Sequence, residues 1–259
     1  MEDIRFSSTR AGKAGSDIVA SALDSSLEMG NNANLQQLDL CGNDFVNKAS
    51  YEALFRALGT TSSLKYLDLR DCDLEDDGVK KVCHALFESD SALEHLDLSG
   101  NGVEKRGAKH IADYVRDCGG KLKILRLEDN ELTSKGVESI AAAFHSSEDG
   151  HSIEEIQLNT CLIGAIGARS LIDAFGPDGK DLPNLKKLHL NGNSFTEEVI
   201  GELEVAFDDS LGGLDDNDSD GDADDDLSDD EDEEEEEDEG PVSDEVEDLA
   251  DAMSKSLLV

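Results

Sequence analysis

LKYLDLRDCDL (Leu64–Leu74) is followed 29 residues later by LEHLDLSGNGV (Leu93–Val103), and 29 later again by LKILRLEDNEL (Leu122–Leu132). The same columns recur in LQQLDLCGNDF from Leu35, IEEIQLNTCLI from Ile153 and LKKLHLNGNSF from Leu185, giving spacings of 29, 29, 29, 31 and 32. Placing Ile4 and Phe6 in the second and third apolar columns adds MEDIRFSSTRA at a spacing of 34, for seven repeats. Self-similarity at such a period is the mark of a stacked array, in which no unit buries its apolar face alone.

Each column has a physical task. In LDL, alternate leucines point inward from a short parallel strand while the intervening residues face the concave surface. The ninth column holds Asn43, Asn101, Asn130 and Asn193, with Cys72, Cys161 and Thr9 in their place elsewhere. There the chain turns off the sheet, and a small polar side chain can bond the exposed backbone of adjacent turns. Column 15 is glycine in five repeats (Gly15, Gly78, Gly107, Gly136, Gly167), and helical spacing follows it, as in Val82-Ala85-Leu86 and Ile111-Ala112-Val115. A strand plus a full helix in 29–32 residues is the long leucine-rich repeat of α/β, ribonuclease-inhibitor-like solenoids.

Charge divides the chain. Of 62 acidic and 22 basic side chains (net −40), residues 208–259 hold 26 acidic and one basic. The run from Asp215 to Glu239 is almost pure Asp and Glu with Gly, Ser and Asn, which predicts an unfolded acidic tail. The domains expected are therefore a solenoid over 1–207, an acidic tail over 208–245 and a short amphipathic helix over 246–259. In that helix Val246, Leu249, Ala250, Met253 and Leu257 share one face. Leu249, Met253, Leu257 and Val259 also fit the loose spacing of an export signal, a pattern that chance often supplies. At the C-terminal end of the solenoid the helix around Glu197–Phe207 is the expected cap. No cap precedes the first strand, which predicts further repeats upstream.

The same charge argues against nucleic acid, which is held through clustered Lys and Arg, and against an anionic membrane surface. No apolar run is long enough to span a bilayer, and MEDIRFSSTR lacks the apolar core of a secretory signal. Five cysteines, an odd number with no CxxC, read as reduced thiols of a cytosolic or nuclear protein. No phosphate loop, GxGxxG, HExxH or GxSxG occurs, and the six histidines lack metal-ligand spacing. Asp216, Asp218, Asp220 and Gly221 open like a calcium loop, but its twelfth position is Leu227 where a bidentate Glu is required. The expectation is a chain with no cofactor, no metal and no catalytic site of its own.

Candidate partner-binding residues lie on the concave face and its rim. Asp39, Asp68 and Asp97 share one column in successive repeats. With strands ~4.8 Å apart they would form a self-repelling row that a basic partner relieves, although LDL is also simply common in such repeats. Arg70-Asp71 and Thr9-Arg10 sit on the loops leaving the strands, where solenoids usually make specific contacts.

IRFSSTRAG, DLEDDGVKKV, LDLSGNGVEK, LEDNELTSKG, LNTCLIGAIGARSLIDAF, LHLNGNSFTEE, the LDDND before the tail and the terminal DLADAMSK follow one another in this order. In that order they resemble the Ran GTPase-activating proteins, above all the plant-type branch, over nearly the whole chain. The resemblance implies a monomeric crescent that grips a Ran-type GTPase in its GTP-bound form and speeds its hydrolysis in nucleocytoplasmic transport. It also implies a cytoplasmic location, including the nuclear envelope. The family is described as helping the GTPase's own glutamine with an asparagine rather than an arginine finger. In one register that asparagine falls upstream of IRFSSTRAG; in another it falls on Thr9. No catalytic residue carries over. The alternative is an acidic leucine-rich adaptor that binds histones and other basic proteins, a class built on shorter repeats.

Overall fold

A computed structural model describes residues 3–5, 34–43, 48–117, 120–145, 152–176 and 182–217. Thr9, Arg10, the acidic run beyond Asn217 and the expected terminal helix lie outside them.

Each LxL core makes a three-residue strand. These are β1 (Asp3–Arg5), β2 (Gln37–Asp39), β3 (Tyr66–Asp68), β4 (His95–Asp97), β5 (Ile124–Arg126), β6 (Glu155–Gln157) and β7 (Lys187–His189). They form one parallel sheet in chain order, with each strand beside its sequence neighbours. The register follows the repeat: Ile4 faces Leu38, then Leu67, Leu96, Leu125, Ile156 and Leu188 in turn. A first strand centred on Ile4, as the 34-residue spacing predicts, is therefore present.

The return limbs are α1 (Lys48–Gly59), α2 (Glu75–Glu88), α3 (Lys105–Asp117), α4 (Thr133–His145), α5 (Ala165–Phe175) and α6 (Glu197–Phe207). Helices of 11 to 14 residues fill these repeats, and each packs against the next. In α3 the buried stripe is Ala108, Ile111, Ala112 and Val115, with Tyr114 beside it. The core lies between this helical layer and the sheet, and Leu67, Leu96, Leu125 and Ile156 are fully buried in it.

In column 15, Gly107, Gly136 and Gly167 lie where each helix closely approaches the preceding repeat. A Cβ on Gly136 would lie 2.9 Å from the Ala108 Cβ, and one on Gly167 would lie 3.0 Å from the Ser134 Cα. Any side chain would push neighbouring helices apart.

The C-terminal boundary differs from the expectation of a body ending at Phe207. After α6 a 3₁₀ turn (Asp208–Ser210) leads to Leu211, which bridges in parallel to Leu188 of β7. Gly212 N–H bonds the Leu188 carbonyl (2.8 Å), and Asn217 Oδ1 accepts from Asn193 N–H (2.9 Å). LGGLDDN is thus a shortened eighth rung rather than the start of the acidic tail. It meets the backbone groups that β7 would otherwise leave bare. Among the described residues no helix is long and apolar enough to cross a membrane.

Candidate functional site

The concave face is built from the residues flanking the central leucine of each strand. On one side of it, Asp39, Asp68, Asp97, Arg126, Gln157 and His189 are aligned by register. On the other run Gln37, Tyr66, His95, Ile124, Glu155 and Lys187.

The carboxylates do not form the free, self-repelling row expected from sequence. Asp68 and Asp97 are 0% and 1% exposed. Arg70, two residues beyond Asp68, folds back over them instead of projecting outward as a loop contact. Its Nε and Nη2 donate to Asp68 at 3.0 and 2.8 Å, and its Nε lies 3.3 Å from Asp97 Oδ2. The fork matches a carboxylate in shape and charge, so Asp68 and Asp97 are compensated from within. That bond to Asp68 holds the Arg70 guanidinium even more firmly protonated.

Other groups complete the cluster. Ser99 donates its hydroxyl (2.8 Å) and backbone N–H (3.2 Å) to Asp97 Oδ1. Tyr66 donates its hydroxyl to Asp68 (3.3 Å), and Arg126 sits 3.9 Å from Asp97 and 3.0 Å from Glu155. Burial pushes the Asp97 carboxyl up to about 6, against the pull of the Ser99 bonds. Burial, followed by the Arg126 charge, pulls His95 down to about 4, so its imidazole is neutral at pH 7. The His95 ring packs on Tyr66 with centroids 4.4 Å apart.

Of the sequence candidates, Asp68, Arg70 and Asp97 are thus brought together. Asp39 is half-buried at the margin, its Oδ1 accepting from Cys41 N–H (3.2 Å). Asp71 stays apart, exposed on the rim with φ +53°, its N–H on the Ser99 carbonyl. Sequence reasoning passed over Tyr66, His95, Arg126 and Glu155. The signal was available, because they fill the same concave-facing slots as the aspartates.

The rim where chains leave the strands has its own rule. The residue two beyond the leucine that follows each strand has positive φ in every described repeat: Gly42, Asp71, Gly100, Asp129, Thr160 and Gly192. Glycine takes this conformation freely and other residues take it under strain. Behind it stands the polar ladder. Asn101 Oδ1 accepts from Cys72 and Leu74 N–H, while its Nδ2 donates to the carbonyls of Leu69, Leu98 and Ser99. Cys72 and Cys161 donate their thiols to carbonyls of the preceding rung, and burial pushes both up to about 12. They are structural, inert thiols. Among the described residues no cluster of His, Cys, Asp and Glu could hold a metal ion.

Family profiles described as Leucine Rich repeat match residues 61–83, 91–112 and 121–141, and a further Leucine Rich Repeat profile matches 184–205. No curated protein matches the chain. A solved structure described as the crystal structure of a TLR13–ssRNA13 complex is similar at 24% identity and a TM-score of 0.41. The similarity covers 67% of this chain and 22% of that one, so this chain spans less than a quarter of that protein's length. With the sheet, helices and ladder, the profiles define an α/β leucine-rich-repeat solenoid. The class is a leucine-rich-repeat scaffold for protein interaction.

Proposed function

We propose that this scaffold binds a Ran-type small GTPase in its GTP-bound form and acts in GTPase activation for nucleocytoplasmic transport. The observation that carries the reading is repeat geometry. Repeats of 29–32 residues hold convex helices of 11 to 14 residues. The Ran GTPase-activating proteins that the sequence resembles share this form, and the acidic histone-binding adaptors do not. The chemistry would belong to the GTPase. An activator of this kind positions the GTPase's own groups around the attacking water and supplies no nucleophile or metal.

The test is binding to a Ran-type GTPase loaded with a non-hydrolysable GTP analogue or with GDP, followed by single-turnover hydrolysis of GTP with this chain in excess. Tighter binding of the GTP form and faster hydrolysis support the reading. Equal, salt-sensitive binding of both forms beside tight binding of core histones would favour the adaptor, a reading motivated by the net charge of −40.

A further inference from the structure

Four large apolar side chains stand exposed among the described residues: Phe87, Leu162, Ile166 and Val205. Phe87 and Val205 are single residues on α2 and α6, a normal feature of any surface. Leu162 (48% exposed) and Ile166 (38%) are different, since both lie where the chain leaves β6 and begins α5.

Leu162 is also held at φ +56°. A bulky side chain rarely adopts this backbone, and it persists where the surrounding structure imposes it. The same column one repeat and two repeats earlier holds Glu131 and Gly102, and Gly102 sits at φ +62° with open space around its Cβ direction. Glycine would therefore serve the turn with no strain. The chain instead places a leucine there and leaves half of it in water. Nearby, Thr133 is likewise at positive φ, its N–H bonds the Cys161 carbonyl, and its Oγ1 is buried with no hydrogen-bond partner.

The turn of the preceding rung carries carboxylates, with Lys135, half-buried at the start of α4, as its basic side chain. Asp129 and Glu131 are exposed on the preceding rung, with Glu128 half-buried beside them. Asp215 and Asp216 are exposed two rungs further on, where Asp216 pairs with Asn191. Arg169, on α5 with Ile166, is paired with Glu202 at 2.9 and 3.1 Å.

We propose that Leu162 and Ile166 are the apolar anchor of the partner-binding edge, and that the partner presents an apolar side chain ringed by Lys or Arg. The carboxylate rim acts on the rate of encounter and the apolar pair on residence time. The chemistry follows from this patch, while the identity of the partner rests on the function proposed above.

The test uses the full chain, wild type and with Leu162→Gly, Ile166→Ser or Glu131→Gln. Probes are a Ran-type GTPase loaded with a non-hydrolysable GTP analogue and, separately, core histones. Leu162→Gly should weaken binding at least ~10-fold through faster dissociation, as loss of a buried apolar anchor does. Its melting temperature should be unchanged or higher, because glycine is at ease at this φ. Ile166→Ser should weaken binding by a smaller factor. Glu131→Gln should slow association at low salt only. If the GTPase binds and neither apolar variant weakens it, the anchor is wrong and the functional reading stands. If only histones bind and the apolar variants weaken them, the anchor stands and the GTPase reading falls. Binding of neither probe by the wild type overturns both. A dimer of the wild type that Leu162→Gly dissolves would make the patch a contact between copies, and would also overturn the proposal.

Discussion

Asn101 and Asp97 stand four residues apart in one repeat, at 2% and 1% exposure, and their side chains meet burial differently. The amide of Asn101 carries an acceptor and two donors. It therefore satisfies backbone N–H groups of the preceding rung and carbonyls of its own and the preceding rung at 2.8–3.3 Å. Those backbone groups recur in every repeat, so the device is copied at Asn130 and Asn193. The carboxylate of Asp97 can only accept, and it carries a charge. Its hydrogen bonds come from Ser99 and its compensating charge from Arg70 and Arg126, side chains that the repeat does not supply at fixed positions. A regular column of amides is thus self-sufficient, whereas a regular column of carboxylates depends on irregular neighbours.

The largest effect should come from breaking the self-sufficient column. Asn101→Ala leaves the buried N–H groups of Cys72 and Leu74 without an acceptor and removes the donor to three carbonyls. The expected loss is about 3–4 kcal/mol, since each unmet buried group costs about 1–3 kcal/mol and some relaxation follows. Urea unfolding at pH 7 measures it. A loss below about 1 kcal/mol would mean that the stacked leucines alone hold the rungs together.

A second prediction separates the columns by pH, because only one of them titrates. The folded state holds the Asp97 carboxyl at about 6, above the ~3.9 of an unfolded aspartate. Folding therefore favours the protonated form. The stability this group contributes is complete below about pH 4 and is lost as pH rises through 6. Asp97→Asn removes the titration and keeps an acceptor for Ser99. Wild type should gain on that variant by about 1 kcal/mol when urea unfolding is repeated at pH 5 instead of 7. A gap constant between those values would show Arg70 and Arg126 keeping the carboxylate ionised throughout.

How much of this was legible follows from the same contrast. The spacing of the LxL cores predicts seven strands and their register, including the strand centred on Ile4, because the repeat dictates backbone geometry. Asp39, Asp68 and Asp97 are correctly aligned by that reading, yet their burial is not. Facing direction is a property of the strand, but neutralisation of Asp68 and Asp97 depends on Arg70 turning back over them, a choice of side-chain rotamer with no periodic signature. Leu162 was hidden for a related reason. Its column mixes Asp73, Gly102, Glu131 and Ser194, so the positive φ imposed on some members leaves no residue pattern.

Asn217 was hidden by both spacing and composition. It follows Asn193 by 24 residues rather than the 29–32 that separate the longer repeats, and it stands among Asp and Gly that read as the beginning of the tail. It nevertheless does at the end of the ladder what Asn101 does in the middle. Its Oδ1 accepts from Asn193 N–H (2.9 Å) and its Nδ2 donates to the Leu214 carbonyl (2.8 Å). The difference is exposure, because Asn217 is half-buried where Asn101 is enclosed. Water can replace the missing partners at the end of the stack but not within it. Asn217→Ala should therefore cost only about 0.5–1 kcal/mol, the net worth of one or two solvent-accessible hydrogen bonds. Hydrogen exchange reads the effect locally: the Asn193 amide should lose protection in this variant, while the Asn101 amide keeps its own. If the Asn193 amide is already unprotected in the wild type, the eighth rung is not formed in solution and the body ends at α6.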